Sequence, residues 1–221
     1  MHPLDKHILS ALIRNPQLRY AELRPPNVEG NLFMYHLKRL ANDGLIRKSA
    51  DGAYELTPDG KLTADKMQLD TLEIDRQPRI VILMAVREKT KGWLLHRRKV
   101  QPVIDMVGFL HANLKLGESI LDTAAATLKR VTGLAASFKF RGSGSITIYK
   151  SKEVESFIAF YLVEATKTSG QLIAETELGL NFWEARPDFE RPDFIPSMKQ
   201  MVRLLDGPKQ PFFTELTYNI D

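Results

Sequence analysis

Residues 107–134, VGFLHANLKLGESILDTAAATLKRVTGL, decide how this chain is read. Positions 127, 130 and 131 are spaced i, i+3 and i+4, so on a helix they share one face. That face carries Thr127, Arg130 and Val131: a hydroxyl, a guanidinium and an isopropyl group. Strand patterns lie on both sides of this helical stretch. Residues 79–86 alternate and branch like a buried strand, and 92–97 read as its hairpin partner. Further strands are expected at 145–149 and 157–165, and a last helix at 196–205. Strands flanking a single helical segment point to a mixed α+β domain.

The chain has 221 residues, enough for one large domain or two small ones. Hydrophobic residues make up 43% and charged residues 26%, a balance that can bury a real core. No apolar run is long enough to span a bilayer, and the opening MHPLDKHILSALIRNP does not resemble a signal peptide. Cysteine is absent, which excludes disulfides, zinc–thiolate sites and cysteine nucleophiles. A cytoplasmic location is the expectation. The net charge of +4 is compatible with nucleic-acid binding without requiring it.

Before residue 70 the pattern is different. Leu4, Ile8, Leu9, Leu12 and Ile13 recur at helical spacing over residues 4–14, and Asn15-Pro16 ends that helix. A short helix is expected at about 19–24, stopped by Pro25-Pro26. A third runs from near Asn27 to about Asn42 with Phe33, Leu37 and Leu40 as its apolar stripe, closed by Gly44. LIRKS and AYELT then form two short strands around Ala50-Asp51-Gly52. Thr57-Pro58 opens a fourth helix reaching about Leu69. This order, and the phrase FMYHLKRLANDGLIRKSADGAYELTPDGK, resemble a winged helix-turn-helix domain over residues 1–70. Residues 71–78 read as a linker and 79–221 as a second domain.

The stretch 107–134 resembles the Nudix box, and the resemblance extends over residues 76–221. Gly133-Leu134 and Leu128 hold the end of the box, Glu118 its first acid, and Gly117-Glu118 the usual pair before the helix. Val107-Gly108-Phe109 matches the lead-in, and Leu94-Leu95-His96-Arg97 the strand before it. The resemblance implies a Nudix-like α/β/α sandwich with a mixed sheet. It also implies magnesium or manganese held by box glutamates, and here the chain departs. The opening glycine is Ala112, the Arg-Glu pair is Ala126-Thr127, and the Glu-Glu pair is Arg130-Val131. Hard divalent ions need several oxygen ligands, and Glu118 alone makes a poor cage. Glu153, Glu155, Glu175 and Glu177 lie on other segments, and nothing in their spacing singles them out. No catalytic residue and no metal ligand is therefore assigned.

An arginine in place of a metal ligand can bind phosphate directly. The expected ligand-binding residues are Arg97, Arg98, Phe109, His111, Glu118 and Arg130, with Phe109, His111 or Trp183 stacking on a base. The plainer reading leaves Arg130 on a solvated face and Phe109 in the core. On the third helix Asn31, Tyr35, His36, Lys38 and Arg39 are expected to face DNA, with Arg47 and Lys48 on the wing. The plainer reading there is a protein-interaction surface, since acids nearly balance bases in this segment. The five histidines lack metal spacing, and Arg141-Gly-Ser-Gly-Ser reads as a flexible turn. Together these features describe a DNA-binding transcriptional regulator, expected as a homodimer. Its partners would be double-stranded DNA and a phosphorylated or nucleotide-like effector, with no membrane and no cofactor. The alternative is a divergent Nudix hydrolase acting on a nucleoside diphosphate-linked substrate, which would require magnesium or manganese.

Overall fold

The structure is a computed structural model that describes residues 1–71, 73–74 and 77–220. Leu72, Asp75 and Arg76, within the expected linker, lie outside the described residues. The chain divides into two compact units, Met1–Gln77 and Pro78–Asp221.

The first unit runs α1 (Pro3–Arg14), α2 (Tyr20–Leu23), α3 (Gly30–Asn42), β1 (Ile46–Lys48), β2 (Tyr54–Leu56) and α4 (Pro58–Ala64). The apolar stripe of α3 (Phe33, Leu37 and Leu40) packs with Ile8, Leu9 and Leu12 of α1 in one core. Burial of such a stripe, rather than helix propensity, holds short helices together. β1 and β2 pair antiparallel, with Gly52 at a positive φ in the turn. The Thr57 hydroxyl accepts from the Gly60 N–H at 3.0 Å and caps α4. That helix ends at Ala64, short of the expected Leu69. Beyond it Met67 bridges Ile74, and the Gln68 N–H donates to the Glu73 carbonyl at 2.8 Å, so the backbone turns back instead of continuing.

The second unit contains β3 (Arg79–Ala85), β4 (Arg87–Glu88), β5 (Gly92–Arg98), β6 (Val107–Gly108), β7 (Leu110–Asn113), α5 (Ile120–Thr132), β8 (Ala135–Lys150), β9 (Glu153–Ser169), β10 (Glu175–Thr176), β11 (Gly179–Glu184), α6 (Met198–Asp206) and β12 (Phe212–Asn219). One mixed sheet has the order β12-β8-β9-β3-β7. In it β12 runs parallel to β8 and β3 parallel to β9, and the other neighbours are antiparallel. A smaller antiparallel sheet is ordered β10-β11-β5-β4, with β6 also on β5. Residues alternate across β3, so its two faces feed two cores. Val81 and Ala85 join Phe160, Leu162 and the α6 residues Met198, Met201 and Leu205. Ile82 and Met84 join the α5 residues Ala124, Leu128 and Val131. A helix on each side of a mixed sheet is the expected layer order.

Two expectations change. Arg141-Gly-Ser-Gly-Ser is not a loop but lies inside β8. Gly144 is required there, because a Cβ would collide with the Thr214 carbonyl of the neighbouring β12. The β8–β9 hairpin is accordingly much longer than its apolar segments suggest. Gly133 ends α5 in the left-handed region at φ 74°.

Candidate functional site

The box residues line one cleft of about 460 Å³ in the second unit. Helix α5 presents Thr127, Arg130 and Val131 to it, as the i, i+3, i+4 spacing requires. Glu118 enters from the loop before the helix, where its carboxylate accepts from the Thr123 hydroxyl at 2.9 Å. Strands β5 and β7 supply Arg98 and His111, and the start of β3 supplies Arg79. Among the described residues, four cationic ones (Arg79, Arg98, Lys115 and Arg130) thus share the cleft with a single carboxylate, Glu118, which lies 3.9 Å from the Lys115 ammonium. Arg130 is exposed and forms no ion pair among the described residues.

Arg98 is the unusual member. It is only 5% exposed, yet no carboxylate among the described residues pairs with it. Its Nε donates to the Pro102 carbonyl at 3.0 Å and Nη2 to the Gln101 carbonyl at 3.2 Å. Nη1 lies 3.1 Å from His111 Nδ1 and 3.2 Å from Nε2, so the imidazole accepts through whichever nitrogen is unprotonated. Burial, and then the charge of Arg79, weaken the hold of Arg98 on its proton. His111 is pushed down to about 3, first by burial and then by Arg98, Arg79 and His96. His96 is also lowered, chiefly by burial. His96 is fixed by Asn181, whose Oδ1 lies 2.8 Å from its Nδ1 and whose amide donates to the Val131 and Ile173 carbonyls. That link ties the end of α5 to β5.

These histidines make stability depend on pH. Unfolded His111 takes up a proton near pH 6.5, and the folded ring only near 3. Between those values the unfolded chain binds more protons, so stability falls as pH drops from about 6.5 towards 3. At pH 5 the loss from His111 is about 2 kcal/mol relative to pH 7.5. Urea titrations across pH 5–7.5 are expected to show it, and His111→Gln is expected to flatten the profile.

The other expected ligand residues lie elsewhere. Arg97 neighbours Arg98 on β5 and therefore points to the opposite face. Its Nη2 donates to Asp193 at 2.7 Å and its Nη1 to the Asp105 carbonyl at 2.8 Å, so it serves as a structural clamp. Phe109 is 5% exposed and packs against Trp93, ring centroids 5.5 Å apart. It is a core residue, as the plainer reading has it. Trp183 is half-buried beneath Lys91, 5.2 Å from its ring centroid. Sequence reasoning misses Arg79 and Lys115. Arg79 is legible as a cation at the head of an apolar strand, but β3 and β5 belong to different sheets, and only their packing places Arg79 in one cleft with Arg98.

No protein-family model matches this chain, and no curated protein matches it. Solved structures do. The mutator MutT protein of Bacillus halodurans is similar with a TM-score of 0.53 and 17% identity, over 64% of this chain and 90% of that one. A MutT Nudix hydrolase of Burkholderia pseudomallei is similar with a TM-score of 0.50 and 16% identity, over 59% of this chain and 99% of that one. The second unit has a Nudix-like fold. The Nudix domain of Shewanella oneidensis NrtR, solved with ADP-ribose, has a TM-score of 0.49 and 11% identity, over 68% of this chain and 97% of that one.

The metal of Nudix hydrolases does not fit the donors in this Nudix-like unit. Among the described residues no three His, Asp or Glu side chains gather where they could hold an ion. Among the described residues Glu118 is the only carboxylate lining the cleft, and Arg130 stands among the positions that would need oxygen ligands. The arrangement is suited to binding an anion rather than a cation.

In the first unit the expected DNA-facing residues separate into two groups. Asn31, Tyr35 and Lys38 are exposed on α3, as are Arg47 and Lys48 on β1. The Arg47 Nε donates to Glu55 at 2.6 Å, and the Lys48 ammonium lies 5.8 Å from the Tyr54 ring centroid. His36 is not available to DNA: it is 3% exposed, and its Nδ1 lies 2.8 Å from the wholly buried Asp5. Arg39 pairs with the same carboxylate. The helical period places both beside α1, which the mere presence of basic residues on α3 does not reveal.

Proposed function

We propose that this protein is a DNA-binding transcriptional regulator whose Nudix-like unit binds a phosphorylated or nucleotide-like effector without metal. The observation that carries the reading is the cleft itself, with four cationic side chains and one carboxylate where a hydrolase needs clustered acids. Arg98 and Arg130 bind the anion, and Glu118 and His111 complete the cleft. Asn31, Tyr35, Lys38, Arg47 and Lys48 contact double-stranded DNA, with the protein acting as a cytoplasmic homodimer on paired half-sites. No helix among the described residues is long and apolar enough to cross a membrane. The effector regulates only if its affinity differs between free and DNA-bound protein.

Calorimetry with pyrophosphate and with ADP-ribose, in the presence of a chelator, tests the anion site. Binding is expected without metal, and Arg130→Ala is expected to weaken it about tenfold, the usual range for one charge-assisted contact. Retention on duplex DNA at low salt, lost with Lys38→Glu, tests the first unit. No retention would leave it a protein-interaction module. The retained Glu118 favours one second reading, a divergent hydrolase of nucleoside diphosphate-linked substrates. Manganese-dependent turnover abolished by Glu118→Gln would establish that reading instead.

A further inference from the structure

We infer that the effector is an amphiphilic anion, a phosphate or diphosphate ester whose compact aliphatic group is buried inside the Nudix-like unit. The inference rests on the anion site proposed above and specifies what is attached to the anion.

The cationic cleft has an apolar neighbour. Arg79, Arg98 and His111 line the cleft and also line a second cavity of about 70 Å³. That cavity belongs to the core between the mixed sheet and α6, with walls from Val81, Leu83, Phe109, Ile146, Ile148 and Met201. The cavity is partly open, so its apolar walls face water that an alkyl group would displace. It sits beside a buried arginine that pairs with no carboxylate among the described residues. A ligand with its charge on Arg98 and an alkyl group in the cavity satisfies both at once.

Size and chemistry argue against a nucleobase in this space. An engineered cavity of about 150 Å³ takes up benzene, and this one has less than half that room. At about 30 Å³ per methylene-sized group, the volume a liquid water occupies, it holds two or three such groups. The lining has no carboxylate and no amide side chain, and beyond the shared arginines and His111 only the hydroxyls of Ser156 and Ser197 are polar. A base edge would leave donors and acceptors unpaired there, whereas an alkyl group leaves none.

Calorimetry on the full chain with inorganic phosphate, methyl, n-butyl and n-octyl phosphate tests the inference. Each buried methylene strengthens binding about fourfold, so butyl is expected to exceed methyl phosphate at least tenfold. Octyl is expected to add nothing further, because the cavity is full. Ser156→Leu and Leu83→Phe, which narrow the cavity from two strands, are expected to erase the butyl gain while preserving methyl phosphate affinity, which also reports that each variant is folded. Equal affinity for methyl and butyl phosphate overturns the inference and leaves the anion site standing. A butyl gain that persists in both variants also overturns it, since the chain then lies elsewhere. If no phosphate, pyrophosphate or ADP-ribose binds, the anion site and this inference fall together.

Discussion

Arg98→Met is expected to lower affinity for pyrophosphate about 100-fold or more while leaving the unliganded protein close to wild-type stability. The two effects have separate causes. Arg98 is 5% exposed and its charge has no acid partner among the described residues, so an anion in the cleft meets a largely desolvated guanidinium. Truncating one member of a buried, hydrogen-bonded charge pair typically costs about 2–5 kcal/mol of binding. Folding is another matter. Removing a buried cation eliminates its desolvation cost, and hydrophobic replacements of buried charges are often neutral or stabilising by about 1–4 kcal/mol. Against that gain, the Pro102 and Gln101 carbonyls each lose a donor. These terms nearly cancel. Calorimetry and thermal denaturation on one preparation separate them. A variant that binds normally but unfolds early would mark Arg98 as a structural residue.

Asp5→Ala is expected to destabilise the first unit by about 3 kcal/mol or more, the range for breaking a buried ion pair from one side. Asp5 is wholly buried, accepts from the His2 N–H at 3.0 Å and from His36, and pairs with Arg39. The carboxylate thereby joins the start of α1 to the middle of α3. Its removal leaves His36 buried with its ring nitrogen unpartnered and frees Arg39. Asp5→Asn, which keeps one acceptor, is expected to lose less. Differential scanning calorimetry on the full chain is expected to show the first unit melting earlier, with the Nudix-like unit unchanged. A single unshifted transition would mean that the network contributes little. If α3 reads DNA, both variants also weaken DNA retention, because the helix loses its anchor.

The histidine and arginine of α3 show where reading a sequence stops. Phe33, Leu37 and Leu40 are legible as a buried stripe because period 3.6 is a local property. Whether His36 and Arg39 face solvent depends on Asp5, thirty-one residues from His36, and no local pattern records that contact. Arg97 and Arg98 repeat the lesson on a strand. Both are cations beside the box, and the pleat alone separates the clamp on Asp193 from the buried member of the cleft. Strand lengths were hidden for a similar reason. Gly142, Ser143 and Gly144 resemble a turn locally, yet they are drawn into β8 by β9 on one side and β12 on the other.

What the amino-acid order settled unaided is the makeup of one helix face. Threonine, arginine and valine share one helical face through backbone periodicity, whatever surrounds the helix. What the tertiary structure alone decided is the use of that face. Arg79 from β3, Arg98 from β5, Lys115 from the loop after β7 and Arg130 from α5, distant along the chain, meet around Glu118, and an apolar cavity shares Arg79 and Arg98 with them. Charge and volume at a site are sums over side chains brought together by packing, and such sums exist only once the chain is folded.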